Sequence, residues 1–202
     1  LGLEETRQEY QKIADRQWQV VKEEYFTATG RCAVKTQTGL ILALKYHLSE
    51  NEELTKQMLK KLLRDNKNKL NTGFVGTPLL CNVLTDHGMT DAAYRLLLNK
   101  EYPGWLHEVK LGATTVWERW NSLDESGHVS STGMNSLNHY SYGAILEWIF
   151  RHVAGIDVME QSPGGRVMRI SPKVNSELKY VKAVYDSATG CYQCGWEILE
   201  GN

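Results

Sequence analysis

The sequence predicts a mainly α-helical region made of helical hairpins over residues 1–155, followed by an antiparallel β region over residues 156–202. Before residue 154, apolar residues recur every three or four positions, which is the spacing of one buried helix face. After Gly155 the pattern changes to short apolar runs broken by turn residues, which is typical of strands. Two of these later runs predict a β-hairpin. These three observations set the fold class and the boundary.

Three amphipathic helices are predicted in the first third of the chain. The first has Ile13, Trp18 and Val21 on one face. The third opens on acidic residues, and Ser49 is predicted to cap it, because a hydroxyl oxygen can accept a first-turn N–H. Each helix is polar on its other side, as expected for helices that pack one face against a core. The predicted ranges are residues 4–26, 37–48 and 51–66.

Further helices follow a glycine-containing loop at residues 72–78. Pro78 stands at a predicted first helical position, and Gly88 ends that short helix. Thr90 is predicted to cap the next helix, and a longer helical segment precedes the β region. The predicted ranges are residues 78–84, 91–99 and 135–153.

The β region contains one clear hairpin signal. Two runs of β-branched and aromatic residues, 181–185 and 192–196, flank a turn-forming segment at residues 187–190. We predict that they pair in an antiparallel sheet.

Composition excludes several functional classes. The chain has 202 residues, 42% of them hydrophobic, and a formal net charge of −1. The hydrophobic content is enough for a packed core, whereas nucleic-acid and membrane-surface partners usually require a basic excess. No apolar run approaches the ~18 residues that span a bilayer. We therefore predict neither partner.

The first residues bear on cellular location. The chain begins without methionine, inside a predicted amphipathic helix, so we expect it to be part of a longer protein. Its first residues lack the basic-then-apolar pattern of a signal peptide, which favours a cytoplasmic location. The expected upstream segment leaves that location unknown.

No metal or cofactor site is predicted. The six histidines have no H-x-x-x-H spacing, and the sequence contains neither G-x-G-x-x-G nor a P-loop. No acidic loop has the ligand spacing of a calcium site.

The most informative segment is residues 112–120, in which Glu118 and Arg119 stand between Trp117 and Trp120. Aromatic rings can stack on the apolar face of a sugar, and a carboxylate between them can take a proton from water. Arg119 can hold that carboxylate ionised. From residue types alone, a structural role is as plausible as a functional one. Glu118 could form an ion pair with an arginine, and one of the two tryptophans could lie in the core.

Three ordered segments make the chain similar to a known family. They read Thr-Gly-Phe-Val-Gly-Thr-Pro at residues 72–78, Gly-Ala-Thr-Thr-Val-Trp-Glu-Arg-Trp at residues 112–120, and Met-Asn-Ser-Leu-Asn-His-Tyr-Ser-Tyr-Gly at residues 134–143. With residues 94–98, 102–106 and 147–156, they resemble bacterial α-L-rhamnosidases of glycoside hydrolase family 78. The resemblance covers nearly the whole chain. One departure is Gly104, where the family commonly has serine.

The resemblance implies both a fold and a reaction. It implies part of an (α/α)6 barrel followed by a partial antiparallel β-sandwich, with the loops at residues 72–78, 113–120 and 135–140 converging. It also implies that Glu118 is the general base in hydrolysis of terminal α-L-rhamnosyl residues with inversion. By the same resemblance His139 hydrogen-bonds a sugar hydroxyl, although a histidine near a helix start is often a cap. The substrates would be rhamnose-containing glycosides or polysaccharides.

The second carboxyl group is not found. Inverting enzymes need two carboxyl groups about 6.5–9.5 Å apart. The family's general acid belongs to an acidic motif upstream, and nothing before Thr72 matches it. The alternatives are therefore a hydrolase region whose acid lies outside the chain, a catalytically incomplete carbohydrate-binding remnant, or a helical interaction module. Unpartnered helix faces would also favour a homo-oligomer.

Overall fold

The computed structural model describes residues 2–131, 133–159, 162 and 165–199. The first residue of the predicted helical region and the last three of the β region thus lie outside the described residues, as do Pro163 and Gly164 in a predicted turn. The chain divides into two compact units, Leu1–Leu79 and Leu80–Asn202, with the division inside one helix. The predicted division into residues 1–155 and 156–202, which follows the change from a helical to a strand-like sequence pattern, stays a prediction.

The first unit contains three helices, as predicted. They are α1 (Glu4–Tyr25), α2 (Gln37–Lys45) and α3 (Glu52–Asp65). Leu40, Ile41 and Leu44 of α2 and Leu59 and Leu63 of α3 are buried. None of the described residues of α1 is buried, and its Tyr10, Ile13 and Val20 are each about half exposed or more. The expectation that the first helix packs one face against a core is therefore not met within the described residues. The homo-oligomer stays a prediction.

The prediction that Ser49 caps α3 is wrong. Asn51 directly precedes the helix, and its side-chain oxygen accepts the N–H of Leu54 at 3.0 Å. Ser49 lies too far upstream to reach the first turn. Its hydroxyl instead donates to the carbonyl of Gly30 at 3.0 Å and accepts the N–H of Asn51 at 3.1 Å.

Buried polar groups fix the loop that follows α3. The Gln37 side chain, fully buried, donates to the carbonyl of Lys69 at 2.9 Å and accepts the N–H of Asn71 at 2.8 Å. Further along, a Cβ on Gly76 would collide with the Thr38 hydroxyl oxygen, so a larger residue would require the Thr38 side chain to shift. The predicted glycine-containing loop therefore packs closely against α2.

The second unit is built on short helices. The helix that spans the division is α4 (Thr77–Asp86), followed by α5 (Thr90–Leu97), α6 (Trp105–Lys110), α7 (Tyr140–Gly143) and α8 (Ile145–Trp148), and a π-helical turn covers Ile149–Val153. Within this unit, Trp148 packs edge-on against Tyr94, with ring centroids 5.1 Å apart, and donates its indole N–H to the Thr85 hydroxyl at 2.8 Å.

Three helix predictions in this unit need correction. Thr90 is the first helical residue rather than the cap, since Met89 precedes the helix and its carbonyl accepts the N–H of Ala92. Helix α6 was not predicted. The predicted helix over residues 135–153 begins only at Tyr140, because backbone groups of residues 136 and 139 bond to another loop. Its continuation is divided into α7, α8 and the π-helical turn.

Among the described residues, two antiparallel strand pairs follow the helices. They are β1 (Ile156–Val158) with β2 (Met168–Ile170), and β3 (Tyr180–Ser187) with β4 (Gly190–Glu197). The second pair is the predicted hairpin, with Val181 opposite Trp196 and Tyr185 opposite Tyr192. Trp196 donates its indole N–H to the carbonyl of Val153 at 2.8 Å, which ties the hairpin to the end of the π-helical turn.

Candidate functional site

The loop that carries Glu118 begins where α6 ends. The carbonyl of Glu108 accepts the N–H groups of Leu111 at 3.1 Å and Ala113 at 3.0 Å. Gly112 lies between them with φ of +87°, in the left-handed region that glycine adopts without strain. The chain therefore reverses after α6 and runs from Ala113 toward Glu118.

Two of the predicted site segments lie side by side. The N–H of His139 donates to the carbonyl of Val116 at 2.8 Å, and the N–H of Glu118 donates to the carbonyl of Ser136 at 2.9 Å. The Thr115 hydroxyl also bonds the carbonyl of Leu137. These bonds align residues 115–118 with residues 136–139. The third predicted segment, residues 72–78, belongs to the other compact unit.

The Glu118 carboxylate is held at this junction. Its Oε2 atom accepts the N–H of Ser136 at 2.7 Å, while its own N–H bonds the Ser136 carbonyl. The residue is 8% exposed. A short hydrogen bond from a backbone amide orients a carboxylate. The side chain therefore has one fixed oxygen and one, Oε1, without a hydrogen-bond partner among the described residues.

Arg119 does not pair with Glu118 within the part of the chain that the structure describes. Its guanidinium donates to the carbonyl of Gly133 at 3.1 Å, and its backbone N–H bonds the Ser122 hydroxyl at 3.2 Å. The Asn135 amide donates to the Ser122 carbonyl at 3.0 Å. Arg119 thus joins both loops, and the structural ion pair considered from the sequence is not formed among these residues.

His139 caps helix α7. Its Nδ1 atom accepts the N–H of Ser141 at 3.2 Å, and its ring stacks on Tyr140 with centroids 5.1 Å apart. When Nδ1 of a neutral imidazole accepts, the proton is on Nε2. The residue is partly exposed. Its capping role and a donor role toward a sugar hydroxyl therefore use different nitrogens and are compatible.

Both predicted tryptophans belong to the core. Trp117 is 2% exposed and Trp120 is 8% exposed. Trp120 stacks on Tyr142 with centroids 4.0 Å apart, and Trp105 meets the Trp120 ring edge-on at 5.3 Å. The Trp105 indole donates to the carbonyl of Tyr142 at 3.0 Å. These rings pack together beside the paired loops. Sugar stacking by Trp117 and Trp120 stays a prediction.

Glu108 was missed by the sequence reasoning. It is 3% exposed, and its Oε2 atom accepts the N–H of Trp117 at 3.4 Å. Its Oε1 atom is buried without a hydrogen-bond partner among the described residues. Burial raises the pKa of Glu108 to about 7, although the bond from Trp117 acts in the opposite direction. Its position three residues after Trp105, on the same helix face, was the available signal.

No metal site is present in the described part of the chain. No three of its histidine, cysteine, aspartate and glutamate side chains are grouped closely enough to bind a metal ion. Among the described residues there is also no helix with the length and apolar character needed to cross a membrane.

Comparison with known protein families gives two matches. Residues 1–153 match the family model of the bacterial alpha-L-rhamnosidase 6 hairpin glycosidase domain. Residues 155–202 match the model of the bacterial alpha-L-rhamnosidase C-terminal domain. Together they cover the predicted helical and β regions.

Curated relatives are similar over most of the chain. An α-L-rhamnosidase from Formosa agariphila is 41% identical over 165 residues, which are 81% of this chain and 18% of the relative. An α-L-rhamnosidase from Streptomyces avermitilis is 35% identical over 179 residues, which are 88% of this chain and 17% of the relative. The chain therefore spans less than a fifth of the length of these relatives.

Solved structures are similar in fold. The Streptomyces avermitilis α-L-rhamnosidase complexed with L-rhamnose has a TM-score of 0.88 and 34% identity, covering 95% of this chain and 19% of that one. The native α-L-rhamnosidase from Aspergillus terreus has a TM-score of 0.89 and 30% identity, and the match covers 94% of this chain and 22% of that one. Both the helices and the β3–β4 hairpin therefore have equivalents in these structures.

Proposed function

Because the chain belongs to the bacterial α-L-rhamnosidase family, we propose that it is a region of an inverting glycosidase that hydrolyses terminal α-L-rhamnosyl residues. The observation that supports this most is the Glu118 carboxylate, which Ser136 orients at the junction of two loops. Such a fixed carboxylate suits a general base, whose efficiency depends on its placement beside the proton that it takes.

The base would act through one oxygen. The Ser136 amide occupies Oε2, so Oε1 is the atom that we assign to the attacking water. The water would give its proton to Oε1 as its oxygen attacks the anomeric carbon from the face opposite the leaving group. Inversion of the anomeric centre follows from that direction of attack.

We propose that the general acid comes from residues outside this chain. Glu108 is too deeply buried to reach a glycosidic oxygen. Asp124 accepts the N–H groups of Ser126 and His128, both at 2.9 Å, and Glu147 pairs with Arg151 at 3.0 Å. These carboxylates have structural tasks. The whole reaction would then need a second carboxyl group about 6.5–9.5 Å from Glu118.

Substrate contacts would come from the same two loops. His139 would donate from Nε2 to a rhamnose hydroxyl, and Arg119 would hold the two loops in register through Gly133. Trp117 and Trp120 would contact the sugar only through the small part of each side chain that is exposed. The substrates would be rhamnose-containing glycosides or polysaccharides, and we propose no nucleic-acid or membrane partner.

The test is release of the aryl group from an aryl α-L-rhamnoside by the folded protein and its Glu118→Gln variant. Glutamine keeps the shape and the Ser136 bond but cannot take a proton, so turnover should fall by about 10²–10⁴-fold. Glu125→Gln is the matched control, since Glu125 lies exposed on the adjacent loop. If the chain is silent alone, it is assayed with the upstream segment of an α-L-rhamnosidase added.

Equal turnover by Glu118→Gln and the control would refute the assignment of the base. The second candidate is a carbohydrate-binding remnant, favoured by the burial of Glu108 and by the structural hydrogen bonds and ion pair of Asp124 and Glu147 among the described residues. For that candidate, calorimetry would detect L-rhamnose binding by the wild type, and the upstream segment would restore no turnover.

A further inference from the structure

We propose that Glu108 is a positioning residue, which places the general base by holding the peptide of Trp117, the residue directly before Glu118. This inference rests on the proposed function, because it concerns the same site. The contacts that support it are nevertheless properties of the protein alone, so they can be tested without a substrate.

Glu108 contacts the loop at two points. At the start of the loop, its carbonyl accepts the N–H of Ala113 at 3.0 Å. Just before Glu118, its Oε2 atom accepts the N–H of Trp117 at 3.4 Å. A single residue of α6 thus spans the segment between Ala113 and Trp117. Movement of either end would displace the carboxylate of Glu118 from the Ser136 amide.

The only structural advantage of a carboxyl group at position 108 is that its oxygen atoms can accept hydrogen bonds. Glu108 is 3% exposed, and its Oε1 atom has no hydrogen-bond partner among the described residues. A leucine would fill similar space without the cost of burying a polar group. What leucine would lose is the acceptor for the Trp117 amide, which would then be buried without a partner.

The neutral form of Glu108 suits this position. At a pH below its pKa of about 7, the Glu108 carboxyl group is mainly neutral. Its carbonyl oxygen can then accept the Trp117 N–H without adding a negative charge near Glu118. Charged and titratable groups from several elements share one neighbourhood around Tyr142 of α7. Its pKa is influenced by Glu108 of α6, by Glu118 and Arg119 of the loop, and by Tyr102 before α6.

The experiment compares Glu108→Gln and Glu108→Leu by amide NMR and hydrogen exchange. Glutamine retains an acceptor oxygen, so the Ser136 amide, which Glu118 binds, should keep its protection. Leucine removes the acceptor, and protection of Ser136 should fall at least about 10-fold. The Trp117 amide signal should titrate near pH 7 in the wild type and not in Glu108→Gln. Glu101→Leu, at an exposed glutamate before α6, is the matched control.

Equal Ser136 protection in wild type, Glu108→Gln and Glu108→Leu would overturn the proposal. If Glu108→Leu does not fold, a Trp117 titration that persists in Glu108→Gln would overturn it instead. In turnover assays, Glu108→Leu should lower kcat at least about 10-fold with little change in KM, and glutamine should restore it. Full turnover by Glu118→Gln would refute the proposed function while leaving the exchange result for Glu108 valid.

Discussion

At the scale of single residues, two glutamates ten positions apart are given different tasks by their surroundings. Glu118 receives a short backbone N–H bond at the junction of two loops, which orients its carboxylate. Glu108 lies inside the aromatic core, where burial raises its pKa to about 7 and favours the neutral acid. One carboxyl group would act on water, and the other would hold the first in place.

His139 allows capping and substrate binding to be separated. In His139→Asn, the amide oxygen should still cap α7, because asparagine is among the best N-cap residues. Stability should then be retained while L-rhamnose affinity falls about 10-fold, which corresponds to the loss of one hydrogen bond of about 1.4 kcal/mol. His139→Ala should lose the same affinity and also about 1 kcal/mol of stability.

Calorimetric titration with L-rhamnose and urea unfolding measure the two quantities. Unchanged sugar affinity in His139→Asn would contradict a donor role for the imidazole. Loss of stability equal to that of His139→Ala would instead mean that asparagine does not replace the cap.

The sequence was better at predicting which segments meet at the candidate site than at predicting which residues hold them in place. The ordered motifs predicted that the loops of Glu118 and His139 meet, as the bonds between residues 116–118 and 136–139 confirm. The catalytic and binding roles of these two residues stay predictions. The role of Glu108 was hidden, because a glutamate is usually exposed and only the packing of Trp105 beside it turns this face inward. Three-dimensional packing, rather than residue type, decides such cases.

At the scale of elements, apolar periodicity located most of the helices, including α1, which buries none of its described residues. It predicted α1–α5 to within a few residues, and it predicted the β3–β4 hairpin. It failed over residues 135–153, where the apolar spacing continues but the backbone groups of residues 136 and 139 bond to the Glu118 loop. Helix α6, with six residues, is too short to generate a periodic signal. Both of these errors concern segments that adjoin the candidate site.

The junction between the π-helical turn and β1 depends on Gly155. This residue has φ of +83°, and a Cβ there would lie 2.6 Å from the Cα of Pro172. Gly155→Ala should therefore combine the left-handed strain of about 1 kcal/mol with overpacking of about 2 kcal/mol. Gly88→Ala is the control, because Gly88 has φ of +74° but open space around it. Urea unfolding would disprove this account if both variants lost the same stability.

At the scale of the whole molecule, family membership confirms the predicted fold class. The matches to the six-hairpin and C-terminal domains agree with helical hairpins from an (α/α)6 barrel followed by antiparallel β structure. The chain nevertheless spans only about a fifth of its structural relatives. Its contribution to a complete active site would therefore be the base and part of the sugar contacts, with the acid supplied elsewhere.

The pH dependence of stability should reflect two opposing buried groups. The raised pKa of Glu108, about 7, means that the folded state keeps a proton that the unfolded chain releases above about pH 4.5. Unfolding free energy should therefore fall as pH rises toward 7, by up to about 3 kcal/mol. Burial lowers the pKa of His152, so the unfolded chain binds a proton that the folded state does not. This contribution makes stability rise with pH up to about 6.5.

Below about pH 6.5 the two contributions should oppose each other in the wild type. Glu108→Gln removes the falling contribution, so its unfolding free energy should rise with pH over this range. His152→Gln should show the reverse, a fall that continues to about pH 7. Urea unfolding of the three proteins at several pH values measures these slopes. Parallel pH profiles for wild type and Glu108→Gln would mean that Glu108 is already ionised in the folded state, because only a retained proton makes the profiles diverge.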